Sequence, residues 1–243
     1  MVHRLKISTR PIRTRHLRRA ILVTGRRGIR LFPWRRIPTE YGVLVAEILL
    51  QHTPARRVAP AFTLLIERWP NFSALAQANR RALETVLRPL GLQRRRSVDL
   101  VRLARFVTQE WGGKLPCQPK ALERLPGVGP YTAGVTTAVV HQRGAGFADA
   151  GVARLLRRFY GLSPGPVADP DLWQLSRNVI SGPNVRLSAW GLLDLSREVC
   201  RPRPCCTVCP VAYRCAYSAN QVRMAGRNRG RGRALPSRGS SNG

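Results

Sequence analysis

The apolar residues of this chain recur at helical spacing through most of its length, and no stretch sustains the alternation of a strand. In "RRRSVDLVRLARFVTQEWGG", Val98, Val101, Leu103 and Phe106 recur at helical spacing, and the pattern stops at Gly112-Gly113. "PARRVAPAFTLLIERW" opens on Pro54, suited to a helix start, and "RRALETVLRPLG" ends at Gly91. "YGVLVAEILLQHT" is almost wholly apolar and reads as a buried helix carrying one carboxylate, Glu47. "GVARLLRRFYGL", "DLWQLSRNVI" and "LSAWGLLDLSREVC" continue the pattern. The fold class expected is therefore all-α.

Two end segments stand apart. Residues 1–30 are arginine-rich and hold no acid, so they are expected to form a poorly ordered basic arm. The ordered protein is expected to begin at the aromatic and proline anchors of "LFPWRRIPTEYG". Residues 217–243 are rich in Arg, Gly and Ser without apolar periodicity and are expected to be a disordered tail.

Charge narrows the partner. There are 42 basic against 12 acidic residues, a net +30, with lysine only at Lys6, Lys114 and Lys120. Arginine's planar fork suits phosphate, and the shortage of acids points to a nucleic acid. No apolar run approaches the ~20 residues of a membrane span, and the N-terminus lacks the apolar core of a secretory signal. Six cysteines without an export signal read better as metal ligands than as disulfides.

The most specific motif is "LERLPGVGPYTAG". A nucleotide P-loop needs a preceding strand and a following Lys-Ser/Thr, and neither is present. "PKALER" before it and "TAGVTTAVVHQ" after it both read as helices, so the turn is a helix–hairpin–helix. Gly127, Val128 and Gly129, with Thr132 in the next turn, then make an anion site for a DNA phosphate that reads no sequence. The second cluster is "CRPRPCCTVCPVAYRC", whose five thiols fit either zinc or an iron–sulfur cluster. Cys117 lies apart and reads as a free thiol.

On these residues the chain resembles the helix–hairpin–helix base-excision DNA glycosylases, the superfamily of endonuclease III and MutY, from about Phe32 to Cys215. "LPGVGPYTAG" is similar to the family hairpin and "FADAGVARLLRR" to the segment holding its essential aspartate. Asp149 lies 18 residues beyond Tyr131, the family's interval. The resemblance implies a two-lobed helical fold with the active site in the cleft. One lobe would be a six-helix barrel over residues 40–143, the other a cluster-bearing domain from 31–39 and 144–216. It implies a [4Fe-4S] cluster on Cys200, Cys206, Cys209 and Cys215. The interval from Cys200 to Cys206 is one residue shorter than usual, which leaves Cys205 as bystander or substitute.

The resemblance also implies a function. The partner would be double-stranded DNA containing a mismatch, with the protein acting as a monomer. Its place would be the cytoplasm and nucleoid of a prokaryote, or the nucleus or an organelle of a eukaryote. A mispaired base is flipped out of the stack, and Asp149 stabilises the charge that develops on the deoxyribose. Glu47 would line the base pocket. Tyr131 occupies the position that is lysine in lyase-competent relatives, so a monofunctional glycosylase is expected. Gln51 is the candidate to fill the gap left by the base, with His52 near the lesion or its partner.

"FPWRR", "AEILLQHT" and "GLQRRRSVDL" resemble the thymine-mismatch group, acting on T or U opposite G. The alternative is a MutY-type enzyme removing A opposite 8-oxoguanine or G, although "GLGYYARA" of that group is replaced by "GLQRRRSV". A helix–hairpin–helix DNA-binding module without catalysis is the non-enzyme alternative. The family often has asparagine two residues after the aspartate; here Gly151 leaves that polar partner missing.

Overall fold

The structure is a computed structural model that describes residues 11–28, 31–36 and 38–221, and among these there is no strand. Besides a short helix at 216–221, the described residues form the α-helices α1 Pro11–Arg27, α2 Pro33–Arg36, α3 Glu40–Leu50, α4 Ala55–Arg68, α5 Phe72–Ala76, α6 Arg80–Leu87, α7 Gln93–Trp111, α8 Pro119–Leu122, α9 Pro130–Val140, α10 Ala150–Tyr160, α11 Pro170–Ile180 and α12 Val185–Asp194. The stops follow the residues anticipated for them. Gly112 closes α7 in the left-handed conformation (φ 58), its N–H reaching the Val107 carbonyl, and Asn71 and Asn79 cap α5 and α6 through their side chains.

The helices pack around two hydrophobic cores. The first gathers Trp34, Leu44, Leu49, Phe62, Leu83 and Leu103; the second gathers Leu17, Ile21, Phe147, Phe159, Val179 and Leu192. Two helices belong to both. In α3, Leu44 faces the first core and Val43 the second; in α9, Ala133 faces the first and Val135 and Val139 the second. This explains why both helices read as nearly all apolar: a helix buried on opposite sides has no polar face to spare. Chemistry placed on either helix therefore lies at the junction of the cores.

Three terminal or linking segments differ from the sequence expectation. Residues 11–27, expected within a poorly ordered arm, form α1 and pack on α12. The reason is a close helix crossing: a Cβ on Gly25 would run into the Leu187 carbonyl, and one on Gly191 into that of Ile21. Glycine on both helices lets the backbones approach and buries Leu17 and Ile21, a pairing invisible to a reading of either segment alone. Residues 1–10 of that expected arm lie outside the described residues. The 31–39 segment straddles the cores. Trp34 packs in the first, while Arg35 makes a two-pronged pair of 2.7 and 2.9 Å with the fully buried Asp194 of α12. Residues 217–221, expected in the tail, belong to a short helix over 216–221, and Tyr217 lies beneath Arg158 at 4.6 Å. The rest of that tail, 222–243, lies outside the described residues. No described helix is long and apolar enough to cross a membrane.

Candidate active site and DNA interface

The hairpin joins α8 to α9. Gly127 adopts φ 77, a conformation that costs glycine little, while Gly129 is extended and leads into Pro130 at the first position of α9. No side chain caps α9, so its first-turn N–H groups are left for an anion. Gly127 and Gly129 are exposed. The other two hairpin residues are placed differently. Val128 is buried in the first core and spends its N–H on the Leu125 carbonyl at 3.1 Å. The Thr132 side chain is buried too, so what it could offer a phosphate is its backbone N–H. The hairpin valine is thus a hydrophobic anchor for the turn.

Gln51 follows α3 directly and donates from Nε2 to the Gly127 carbonyl at 2.8 Å. The side chain expected to fill a vacated base position is here a strut between the end of α3 and the hairpin. Next to it His52 is exposed in a left-handed conformation (φ 55), and Leu92, at the start of α7, is exposed at φ 52. Non-glycine residues are rare there. Arg96 of α7 holds the neighbouring turn: its guanidinium donates to the Ile48, Leu49 and Gln51 carbonyls and to the Thr53 hydroxyl, at 2.7–3.3 Å. Free carbonyls at a helix C-terminus attract a cation, and "QRRRSV" supplies one. The sequence alone marked that run only as part of a stretch resembling the thymine-mismatch group, and singled out neither Arg96 nor Leu92.

The candidate catalytic groups come from four places. Glu47 is carried by α3, Tyr131 by the first turn of α9, and Asp149 is the N-cap of α10. The fourth is Arg197, which the sequence reading did not single out. It lies on a wide turn, Leu195–Val199, closed by a bond from the Cys200 N–H to the Leu195 carbonyl. The two oxygens of Asp149 are divided. Oδ1 accepts from the Val152 N–H at 2.7 Å, and Oδ2 accepts from Arg197 Nη2 at 2.9 Å. The same nitrogen lies 3.3 Å from the Tyr131 hydroxyl. The cap bond and the Arg197 pair of Asp149 are therefore compatible, since each uses its own oxygen. Gly151 leaves room beside this carboxylate: a Cβ there would stand 3.2 Å from Oδ1. The polar partner missing at Gly151 is supplied from the other side by Arg197.

Electrostatics sort these groups by role. Burial pushes the Glu47 carboxyl up to about 7, with Arg197 and Arg35 pulling against that and Asp149 adding to it. Burial raises the Tyr131 phenol well above its ordinary range, and the Glu47 charge raises it further, so Tyr131 stays protonated. Burial opposes the Arg197 charge, but Tyr131, Asp149 and Glu47 outweigh it and hold the guanidinium protonated. Tyr131 is braced edge-on against Phe147, centroids 6.0 Å apart.

The cysteines of the C-terminal loop come together. Cys200, Cys205, Cys206, Cys209 and Cys215 line one cavity with Val199, Ala212 and Tyr217. None forms a disulfide, and Cys117 lies elsewhere. Among the described residues no three Cys, His, Asp or Glu side chains converge closely enough for a single metal ion. Burial raises the thiols of Cys200, Cys206 and Cys209; Cys215 acts on all three, and Cys209 also feels Cys200 and Cys206. Cys205 acts on Cys206 and is engaged by Arg201 at 3.0 Å.

Comparison with known proteins agrees with this arrangement. The sequence pattern of the HhH-GPD superfamily base excision DNA repair proteins matches residues 45–171. A thymine-DNA glycosylase of Aeropyrum pernix is 34% identical over 194 residues, covering 77% of this chain and 87% of that protein. An adenine DNA glycosylase of Mus musculus is 31% identical over 220 residues, but the match spans only 41% of it. The solved structure of a thermostable thymine-DNA glycosylase superposes with a TM-score of 0.80 at 29% identity, covering 86% of this chain and 97% of that one. With the helical hairpin, the aspartate capping α10 and a family match over more than half its length, the chain belongs to the HhH-GPD superfamily of base excision DNA repair proteins.

Proposed function

We propose that this protein is a monofunctional DNA glycosylase that hydrolyses the N-glycosidic bond of thymine or uracil mispaired with guanine. The observation that carries the proposal is the grouping of Glu47, Tyr131, Asp149 and Arg197. A carboxylate with both oxygens held stands beside a protonated tyrosine and a carboxyl poised near neutrality, where two cores and a DNA-gripping hairpin meet. Double-stranded DNA is the partner, held by the basic surface and the hairpin without sequence reading; a mispaired base costs least to extrude. As the base leaves, positive charge grows on the deoxyribose and Asp149 stabilises it. Water then adds at C1′, its proton is lost to solvent or carboxylate, and the bond electrons depart with the base. Glu47 faces the base and hydrogen-bonds it.

One feature supports the adenine alternative: a carboxyl at about 7 suits a general acid that protonates a leaving purine. The coverage of the thymine enzyme (87%) against the adenine enzyme (41%) favours the pyrimidine reading. Labelled duplexes carrying G:T, G:U, A:G and A:8-oxoguanine, followed by alkali cleavage of abasic sites, decide it. Excision from G:T and G:U is expected; reaction confined to the A-containing duplexes establishes the alternative, and binding without excision from any of them leaves a DNA-binding module.

Tyr131 carries the second half of the proposal. A phenol cannot form a Schiff base with C1′, whereas an amine can. Borohydride is expected to trap no covalent complex with the native protein and to trap one with Tyr131→Lys. Trapping on the native protein overturns the monofunctional reading.

We also propose that Cys200, Cys206, Cys209 and Cys215 hold a [4Fe-4S] cluster. The donor set supports this: cysteine thiols sharing one cavity, with no carboxylate or imidazole among its lining residues. When bound, such a cluster would serve as a staple for the loop rather than as a reactant. The purified protein is expected to be brown and to contain iron; a colourless, zinc-bearing protein overturns the assignment.

A further inference from the structure

From its N-cap to its last turn, α10 is tied to the segment entering the cysteine loop by successive side chains. Asp149 receives Arg197 at 2.9 Å. One turn on, Arg154 donates to the Ser196 and Cys200 carbonyls at 3.0 and 2.8 Å. One further turn on, Arg158 donates to the Arg201 and Pro202 carbonyls at 2.8 and 2.9 Å. The Ser196 hydroxyl is itself tied back to the Leu193 carbonyl at 2.8 Å. Arg197 sits within this latticework on a turn one residue wider per hydrogen bond than an α-helix, and such insertions re-aim a side chain. Opposite it, Gly151 offers no side chain to hold the carboxylate.

We infer that Arg197 is the positioning residue for this active site, fixing the carboxylate of Asp149 and the hydroxyl of Tyr131 relative to each other from the cysteine-loop side. The inference rests on the glycosylase reading. Arg197 does not act by charge alone, since a cation beside the developing sugar cation works against the reaction. What it contributes is orientation: with Val152 N–H on one oxygen and Arg197 on the other, the carboxylate cannot turn away from C1′. A misplacement of about 1 Å at a reacting group can cost on the order of 100-fold in rate.

Arg197 also acts by charge on Glu47, which gives its variants a readout that a loss of packing alone would not move. The charged groups that act on Glu47 are Arg197, Arg35 from α2 and Asp149 at the cap of α10. Removing the Arg197 cation takes away a charge that favours the ionised carboxylate, so the pH midpoint set by Glu47 moves upward.

The test uses the full chain with Arg197→Met and Arg197→Lys, in single-turnover excision on a G:T duplex across pH, alongside thermal melts and binding to undamaged duplex. The Met variant is expected to be about 100-fold slower with unchanged duplex binding and a raised midpoint. The Lys variant, which keeps the charge and one donor, is expected to restore the midpoint and part of the rate. A Met variant within about threefold of the native rate, or faster, overturns the inference, as does a slower one with an unmoved midpoint. If the Met variant melts early, the Lys variant decides: a midpoint away from the native one counts against the inference. A native protein inactive on all four duplexes defeats the glycosylase reading itself, which the variants cannot mimic.

Discussion

Replacing Asp149 by asparagine is expected to lower single-turnover base excision by about 10³-fold while leaving the fold and duplex binding close to native. Asparagine keeps the side-chain oxygen that accepts from the Val152 N–H at 2.7 Å, and it is as good an N-cap as aspartate. What it loses is the negative charge on the second oxygen, which faces Arg197 at 2.9 Å. Both partners of that ion pair are partly exposed, 35% for Arg197 and 27% for Asp149, so solvent screens it and its loss costs little stability. In the reaction the balance differs. Charge develops on a sugar held against the carboxylate with water excluded, where a fixed charge counts for most. Thermal melts and excision rates measured together test this. An Asn variant that melts like the native protein yet retains more than about a tenth of its activity removes Asp149 from the chemistry.

Glu47→Gln is expected to move stability and activity in opposite directions, with the stability gain appearing only at higher pH. Burial raises the Glu47 carboxyl from 4.5 to about 7. Below pH 4.5 the group is protonated in both folded and unfolded chains, and its burial carries no ionisation cost. As pH rises towards 7, the unfolded chain ionises freely while the folded one resists, so stability is lost and the loss levels off above the folded pKa. The shift corresponds to roughly 3 kcal/mol as an upper bound. Glutamine does not titrate. The variant is therefore expected to match the native protein at pH 4 and to melt higher at pH 8, while excision slows by about 10²-fold or more if Glu47 transfers a proton. A difference in stability that does not change between those pH values shows that the carboxyl is not held in this way.

Much of this was legible along the chain. The helical class, the hairpin and the interval between Tyr131 and Asp149 depend on local patterns, and local patterns are what a sequence displays. Glu47 stood out because a lone carboxylate in an otherwise apolar helix needs a reason. What could not be read were partners brought from a distance. Arg197 meets Asp149 across 48 residues and Tyr131 across 66, and in a chain this rich in arginine no composition signal marks one of them. Gln51 was legible as a polar residue at the end of α3, but not its bond to Gly127, 76 residues on. The N-terminal arginines concealed α1 for a related reason: its apolar face is narrow, and Gly25 and Gly191 matter only when brought face to face.

By itself, then, the sequence determined most of the helices, the hairpin between two of them, and the tyrosine that rules out a Schiff base at its own position. Tertiary structure decided how those pieces bear on one another: that α3 and α9 lie between two cores, that Asp149 divides its oxygens between a cap and Arg197, and that Glu47 is buried enough to hold a proton near neutrality. The physical reason is one of range. Propensity and periodicity act over a few residues, whereas desolvation and ion pairing depend on which surfaces the fold closes together.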